Sequence, residues 1–297
     1  MTEQMPPARY GEIYDRGYQH YLGERLGQWH AIWALVLYSI KRAMGIKKSW
    51  TAKVIPIILY LAVVGTVLIV IGIEAFAGSA TGQVMTYPDY FGFIYLIQGA
   101  FVATIAPEML CGDRRENVLS LYFSRAITRW DYIFAKLLAT AILTMTISTV
   151  PAIFLWFFRQ LLADHPLSAL RTNADELGKI IVIGTLIAGL LGCGGLVISS
   201  FTGRKSIATA VIFVGYAILE GLNGALLVAI DSDRARDAIA LFSPFRLINE
   251  MSSKMFGLYD ASVQDHPGYG WPVYMVACVG WVVIGIIVMA WRYVPED

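Results

Sequence analysis

The 297-residue chain carries 23 Lys and Arg against 22 Asp and Glu, so its net charge of +1 gives no global bias toward nucleic acid. It is 57% hydrophobic and only 15% charged, with a mean hydropathy of +0.59. Soluble domains carry about a quarter charged residues, and here the apolar residues fall in blocks of about 20, the length that crosses ~30 Å of hydrocarbon as a helix.

In chain order, residues 1–27 are polar, with no cleavable signal peptide, so the first membrane helix is expected to direct insertion. Residues 28–50 read as an amphipathic interfacial helix rather than a span, because Lys41, Arg42, Lys47 and Lys48 crowd its end. On a helical wheel Trp29, Ile32, Trp33, Val36, Ile40 and Met44 share one face. His30, Tyr38, Lys41 and Arg42 lie opposite, and Leu35 breaks the pattern. Aromatics at the lipid boundary and cations toward anionic headgroups fit a helix lying in the interface of the membrane lipids.

Residues 51–297 then predict an all-α domain of six spans: about 54–73, 90–106, 132–158, 180–201, 206–230 and 271–291. The second span is expected to stop at Pro107-Glu108. The third carries Lys136, near enough to its end to snorkel, and Pro151, which is expected to kink it. The fourth carries Gly184, Ala188 and Gly192 at four-residue spacing, a small-residue face that lets helix backbones approach closely. In the outer loop, 231–270, Ser243-Pro244 reads as an N-cap followed by proline at the first helical position, and Gly257 can close the helix, so one or two short helices lying on the outer membrane surface or dipping into it are expected before the last span.

With the amino terminus inside, the inner segments hold most of the Lys and Arg, among them Arg9, Arg16, Lys53, Arg114, Arg115, Arg125, Arg129, Arg204 and Arg292. The outer segments keep fewer, and residues 75–89 have none. That asymmetry, with an even number of spans, predicts both termini in the cytoplasm; the membrane is expected to be the inner membrane of a bacterial or archaeal cell.

Few residues could carry chemistry. There is no phosphate-binding loop: Gly203-Arg204-Lys205-Ser206 lacks the upstream glycine and spacing. The four histidines lie outside the spans, and Cys111, Cys193 and Cys278 show no metal-ligand spacing and read as packing residues. No catalytic residue, metal site or cofactor is expected on this chain. Glu220 is the deepest carboxylate in a span, with Tyr216 and Asn223 on the same face, and these three are candidates for a transport pathway.

The segment 107–131, PEMLCGDRRENVLSLYFSRAITRWD, is longer than a simple reversal needs. Charged Glu108, Asp113, Arg114, Arg115 and Glu116 precede apolar and aromatic Leu119, Leu121, Tyr122 and Phe123, followed by Ser124, Arg125 and Arg129. Physically this is either a docking handle for a soluble partner or a membrane-surface helix holding the turn.

The run Ala106-Pro107-Glu108, Asp113-Arg114-Arg115-Glu116, Leu119, Leu121-Tyr122, Ser124-Arg125, Arg129, Asp131-Tyr132 and Lys136 resembles the signature region of ABC-2 type permeases, also called type V. Asn117 stands where glycine is usual and Ala126 where proline is usual. The resemblance implies that 107–131 holds a coupling helix, in which Glu108, Asp113, Arg114, Arg115, Glu116, Leu119, Leu121, Tyr122, Ser124, Arg125 and Arg129 contact an ABC ATP-binding subunit. It implies two copies of that subunit, which binds ATP and Mg2+, and a second permease chain as homo- or heterodimer. Export or flipping of a substrate follows from the same resemblance. The competing readings are an anchor relaying ATPase work to an outer partner, a lipid-modifying enzyme and a secondary carrier.

Overall fold

The computed structural model describes residues 26–46, 50–77, 83–123, 127–230, 232–258 and 268–294. Most of the amino-terminal tail, Ser124, Arg125 and Ala126, and residues 259–267 of the outer loop lie outside that set. Among the described residues there are eleven helices and no strand: α1 (Gln28–Ala43), α2 (Trp50–Ala77), α3 (Tyr87–Arg115), α4 (Leu119–Phe123), α5 (Arg129–Leu162), α6 (Pro166–Thr172), α7 (Ala174–Ser200), α8 (Lys205–Ala229), α9 (Asp233–Ala240), α10 (Pro244–Met255) and α11 (Trp271–Tyr293). Six of them, α2, α3, α5, α7, α8 and α11, are long and apolar enough to cross a membrane. The protein is an all-α, polytopic membrane protein.

Local chemistry sets the helix ends. Thr86 and Asp89 form a reciprocal capping box at the start of α3, and Thr128 and Asp131 form another at the start of α5. Asp131 also accepts from the Gln28 side-chain amide at 2.7 Å, joining the first turn of α1 to that of α5. Three helices close by the same motif, with a left-handed residue just past the end: Gly45 after α1, Asn117 after α3 and Gly257 after α10. At α3 the Val118 N–H reaches the Asp113 carbonyl and the Asn117 N–H that of Arg114, which satisfies carbonyls the helix leaves open. Asn117, at φ 52°, tolerates this conformation because its short polar side chain carries little of the usual left-handed penalty.

Two expected boundaries move. The second span does not stop at Pro107. Proline lacks one N–H but does not forbid continuation where neighbouring helices support the backbone, and α3 runs on to Arg115. The third span, expected to contain Pro151 and to end near 158, runs on to Leu162 in α5.

At the centre, α3, α5 and α7 bury half or more of their spans, while α2, α8 and α11 leave most of theirs facing outward. Close approach is the driving term, since lipid is as apolar as leucine. Gly184, Ala188 and Gly192 face α5: a Cβ on Gly184 would overlap the Thr149 hydroxyl, and one on Gly192 would sit 3.1 Å from Thr140 Cγ2. Gly195 admits Val102 of α3, and Gly285 of α11 admits Cys193 of α7. The α5 hydroxyls on this seam bond within their own helix, Thr140 to the Lys136 carbonyl (2.9 Å), Thr144 to that of Thr140 (2.8 Å) and Ser148 to that of Thr144 (3.1 Å), so these three donors are satisfied.

The apolar stripe of α1 is divided, with Ile32 and Val36 packed on the bundle. Ile32, Leu35, Val36, Ser39 and Ala43 face inward, whereas Trp29 and Trp33 are exposed. Arg42 turns inward as well, because its partner lies on α3.

Replacing Gly184 by valine is expected to cost ~1–3 kcal/mol by overpacking the α5–α7 seam, whereas Gly178→Ala, with open space around it, is expected to be neutral or stabilising. Thermal unfolding in detergent checks both.

Candidate functional site

The end of the bundle that carries α1 brings together four charged side chains. Asp113, in the last turn of α3, is fully buried. Its carboxylate accepts from Arg42 Nη1 of α1 at 2.7 Å, from Lys136 Nζ of α5 at 2.8 Å and from the Tyr132 hydroxyl of α5 at 3.0 Å. Arg42 Nη2 reaches Glu116 Oε1 at 3.3 Å, so two cations and two carboxylates cancel formally. Gly112 makes this possible, since any Cβ there would overlap the Arg42 guanidinium.

Lys136 does not snorkel. It is completely buried, and its three ammonium protons go to Asp113, to Ser39 Oγ at 3.0 Å and to the Met109 carbonyl at 2.9 Å. A buried ion is tolerated when it is both paired and fully hydrogen-bonded, and this cluster meets both conditions. Burial acts to lower the Arg42 pKa, but Asp113 and Glu116 outweigh it and hold the guanidinium above its usual value.

The short helix α4 rests on this cluster through Tyr132. Tyr122 and Phe123 each stack with the Tyr132 ring at 6.0 Å between centroids, and Tyr293 of α11 packs on the same ring at 5.7 Å. Arg129 lies over Phe123 at 5.8 Å. Burial pushes the Tyr122 phenol up to about 12. Beside the cluster, Glu108 of α3 pairs with Lys205 of α8 at 2.5 Å, and Arg114 donates to the Ser200 carbonyl at the end of α7.

The expected partner-contact residues therefore divide. Asp113 is sealed inside and cannot touch a soluble partner, and Arg114 and Glu108 are committed to α7 and α8. Arg115 and Glu116 are exposed, with side chains 67% and 48% accessible, while Leu119, Tyr122 and Arg129 are half-buried. Leu121 lies in α4, but its side chain, like Ser124 and Arg125, lies outside the described set. Sequence reading missed Arg42, Gly112 and Tyr132. A signal existed: continuing α3 past Pro107 carries Asp113 to the level of Lys136, and an acid beside an intramembrane lysine predicts a pair.

At the other end Tyr216, Glu220 and Asn223 form a second polar group, and each is bonded within the protein. Tyr216 donates to the Leu191 carbonyl at 2.9 Å. Glu220 accepts from Ser243 Oγ (2.7 Å), the Phe245 N–H (3.1 Å) and the Tyr95 hydroxyl (3.2 Å). The Asn223 amide donates to the Ile239 carbonyl at 2.8 Å, and the Trp281 indole to that of Leu241 at 3.1 Å. These bonds converge on the turn between α9 and α10. Tyr95 lies about 12 Å along α3 from its start, and Trp281 about 15 Å along α11, at 1.5 Å per residue. The α9–α10 pair is thus a re-entrant hairpin that dips into the bundle rather than lying on its surface, and α10 climbs back to where Phe256 meets Tyr87. Irregular backbone at such depth persists only when protein groups satisfy it, and Glu220, Asn223 and Trp281 do so.

Near that end Arg159 of α5 binds Glu74 of α2 at 2.5 Å and the Met85 carbonyl, tying the α2–α3 connection to α5. Among the described residues no cluster of His, Cys, Asp and Glu is placed to hold a metal ion, and the three cysteines are buried and free.

Six spans, a re-entrant hairpin and a short aromatic helix seated on a buried charge cluster define a polytopic helical membrane domain with its polar groups spent on architecture. The family model for ABC-2 type transporters matches residues 30–256, and the chain belongs to that family, as a permease subunit of an ABC transporter. A comparison with curated proteins finds no match.

Removing one partner of the buried cluster is expected to cost far more than removing the pair. Asp113→Ala strands Lys136 and leaves Arg42 with Glu116 alone, at ~3–5 kcal/mol, while Asp113→Asn combined with Lys136→Met is expected to stay near the parental stability. Thermal unfolding of purified protein in detergent separates the two outcomes. At the hairpin, Glu220→Leu is expected to speed amide exchange at the start of α10, and Glu220→Gln, which keeps the acceptor, to do so much less.

Proposed function

We propose that this permease is the membrane-spanning half of an ATP-driven exporter or flippase, moved by a separate ATP-binding subunit that docks on α4 and the last turn of α3. The observation that carries the reading is the exposed pair Arg115 and Glu116, set beside a helix whose aromatic side chains pack down onto Tyr132. A rim of charge around a partly open apolar patch suits a protein partner. Family membership supports it, because ABC-2 permeases typically pair with an ATP-binding subunit.

In this reading α4 is the coupling helix, and the end that carries α1 faces the cytoplasm of a bacterial or archaeal cell, as the lysine and arginine bias favours. ATP and Mg2+ belong to the partner, which supplies two copies to a pair of permeases. Nucleotide binding closes the ATPases, and α4 carries that rigid-body motion into the spans, a two-state element biased by ligand. Glu220 and Asn223 serve the cargo path indirectly, by holding the hairpin that lines the far end of the bundle, and Tyr216 by tying α8 to α7.

Purification of a tagged permease from its own host tests this. A soluble ATPase is expected to come with it, and Arg115→Glu is expected to lower the amount recovered more than about tenfold, as the loss of one interface anchor does. Arg171→Glu, at the opposite end, is expected to leave recovery unchanged. Full recovery with Arg115→Glu would remove α4 and the end of α3 as the docking site.

A further inference from the structure

We propose that the buried Asp113–Lys136–Arg42 cluster is a mechanical clamp that makes α1, the end of α3, α4 and α5 one rigid lever, with Asp113 as its positioning residue. This deepens the ATPase-driven reading and rests on it.

Three observations carry the inference. First, α4 has only five residues and makes no stable helix alone, so any force applied to it would be lost in its flanking turns unless something braces it. Second, Asp113 braces it twice. Its backbone carbonyl accepts from Val118 and so starts the turn into α4, and its carboxylate holds the Tyr132 hydroxyl, whose ring carries Tyr122 and Phe123. Third, the same carboxylate is bonded to α1 through Arg42 and to α5 through Lys136, all with little or no exposure. Ions at this depth are rare and costly, and packing could have been served by apolar residues of similar volume. What charge adds is directional constraint: Lys136, on α5, spends its three protons on two other helices, α1 at Ser39 and α3 at Met109 and Asp113, and so ties three helices together. A displacement of α4 cannot then be absorbed locally and passes to α1 and α5.

The test uses the permease together with its co-purified ATPase. Its background is Asp113→Asn/Lys136→Met, which removes the pair without stranding a charge. The three native cysteines are buried, so spin labels can be placed selectively at Ala34→Cys on exposed α1 and Leu167→Cys on α6 at the opposite end.

In the parent, ATP with vanadate is expected to shift the label separation. In the double variant, with the ATPase still bound and hydrolysing ATP, that shift is expected to fall by more than about half. Retained hydrolysis with lost motion is uncoupling, which a purely structural role would not produce. Without nucleotide, amide exchange in Leu119–Phe123 is expected to rise roughly tenfold in the double variant. A double variant that keeps the full nucleotide-driven shift, or unchanged exchange in α4, overturns the clamp. If no ATPase accompanies the parent and nucleotide shifts nothing, the ATPase-driven reading fails instead, and the exchange measurement still decides whether the cluster braces α4.

Discussion

The bonds to the Asp113 carboxylate are the constraint around which one end of this protein is built. A charge so far from water must be met in full, and the requirement reaches outward from one atom group. Gly112 has to lack a side chain so that Arg42 can cross α3. The helix α1 has to rotate until Arg42, Leu35 and Ser39 face inward. Lys136 has to stay buried, and α4 inherits its seat from the Tyr132 ring. Because the ions cancel and every proton of Lys136 is used, the cluster costs little once formed and a great deal to break.

The opposite end obeys the same rule with backbone in place of ions. A hairpin that turns within the depth of the bundle exposes carbonyls and N–H groups that lipid cannot satisfy. Glu220, Asn223 and Trp281, from α8 and α11, reach in to meet them. Between the two ends small residues of α7 lie close against the hydroxyl-lined face of α5, and Gln98 and Tyr90 of α3 donate to α5 carbonyls at Thr144 and Ser148.

The spans were legible because their signal is local. Twenty apolar residues cross a bilayer whatever their neighbours are, and the serine-proline start of α10 and the left-handed Asn117 follow from residue chemistry over a few positions. The end of α3 was misjudged because proline weakens a helix only when nothing else supports it, and that support comes from other segments. Glu220 stood out as an intramembrane acid, but the same residue type serves a cargo path and a helix N-terminus equally well, and only its neighbours distinguish them.

What the sequence determined by itself is the class of solvent this chain meets, the number of times it crosses that solvent and the family to which its signature region belongs, all properties of composition and short-range pattern. What the tertiary structure alone decided is which charges look outward and which are spent inside. Arg115 and Asp113 are two residues apart in one run of charge, yet one is accessible and the other sealed. The difference arises because Asp113 meets partners 71 residues before it, at Arg42, and 23 after it, at Lys136, and pairing over such separations is fixed by packing and by nothing local.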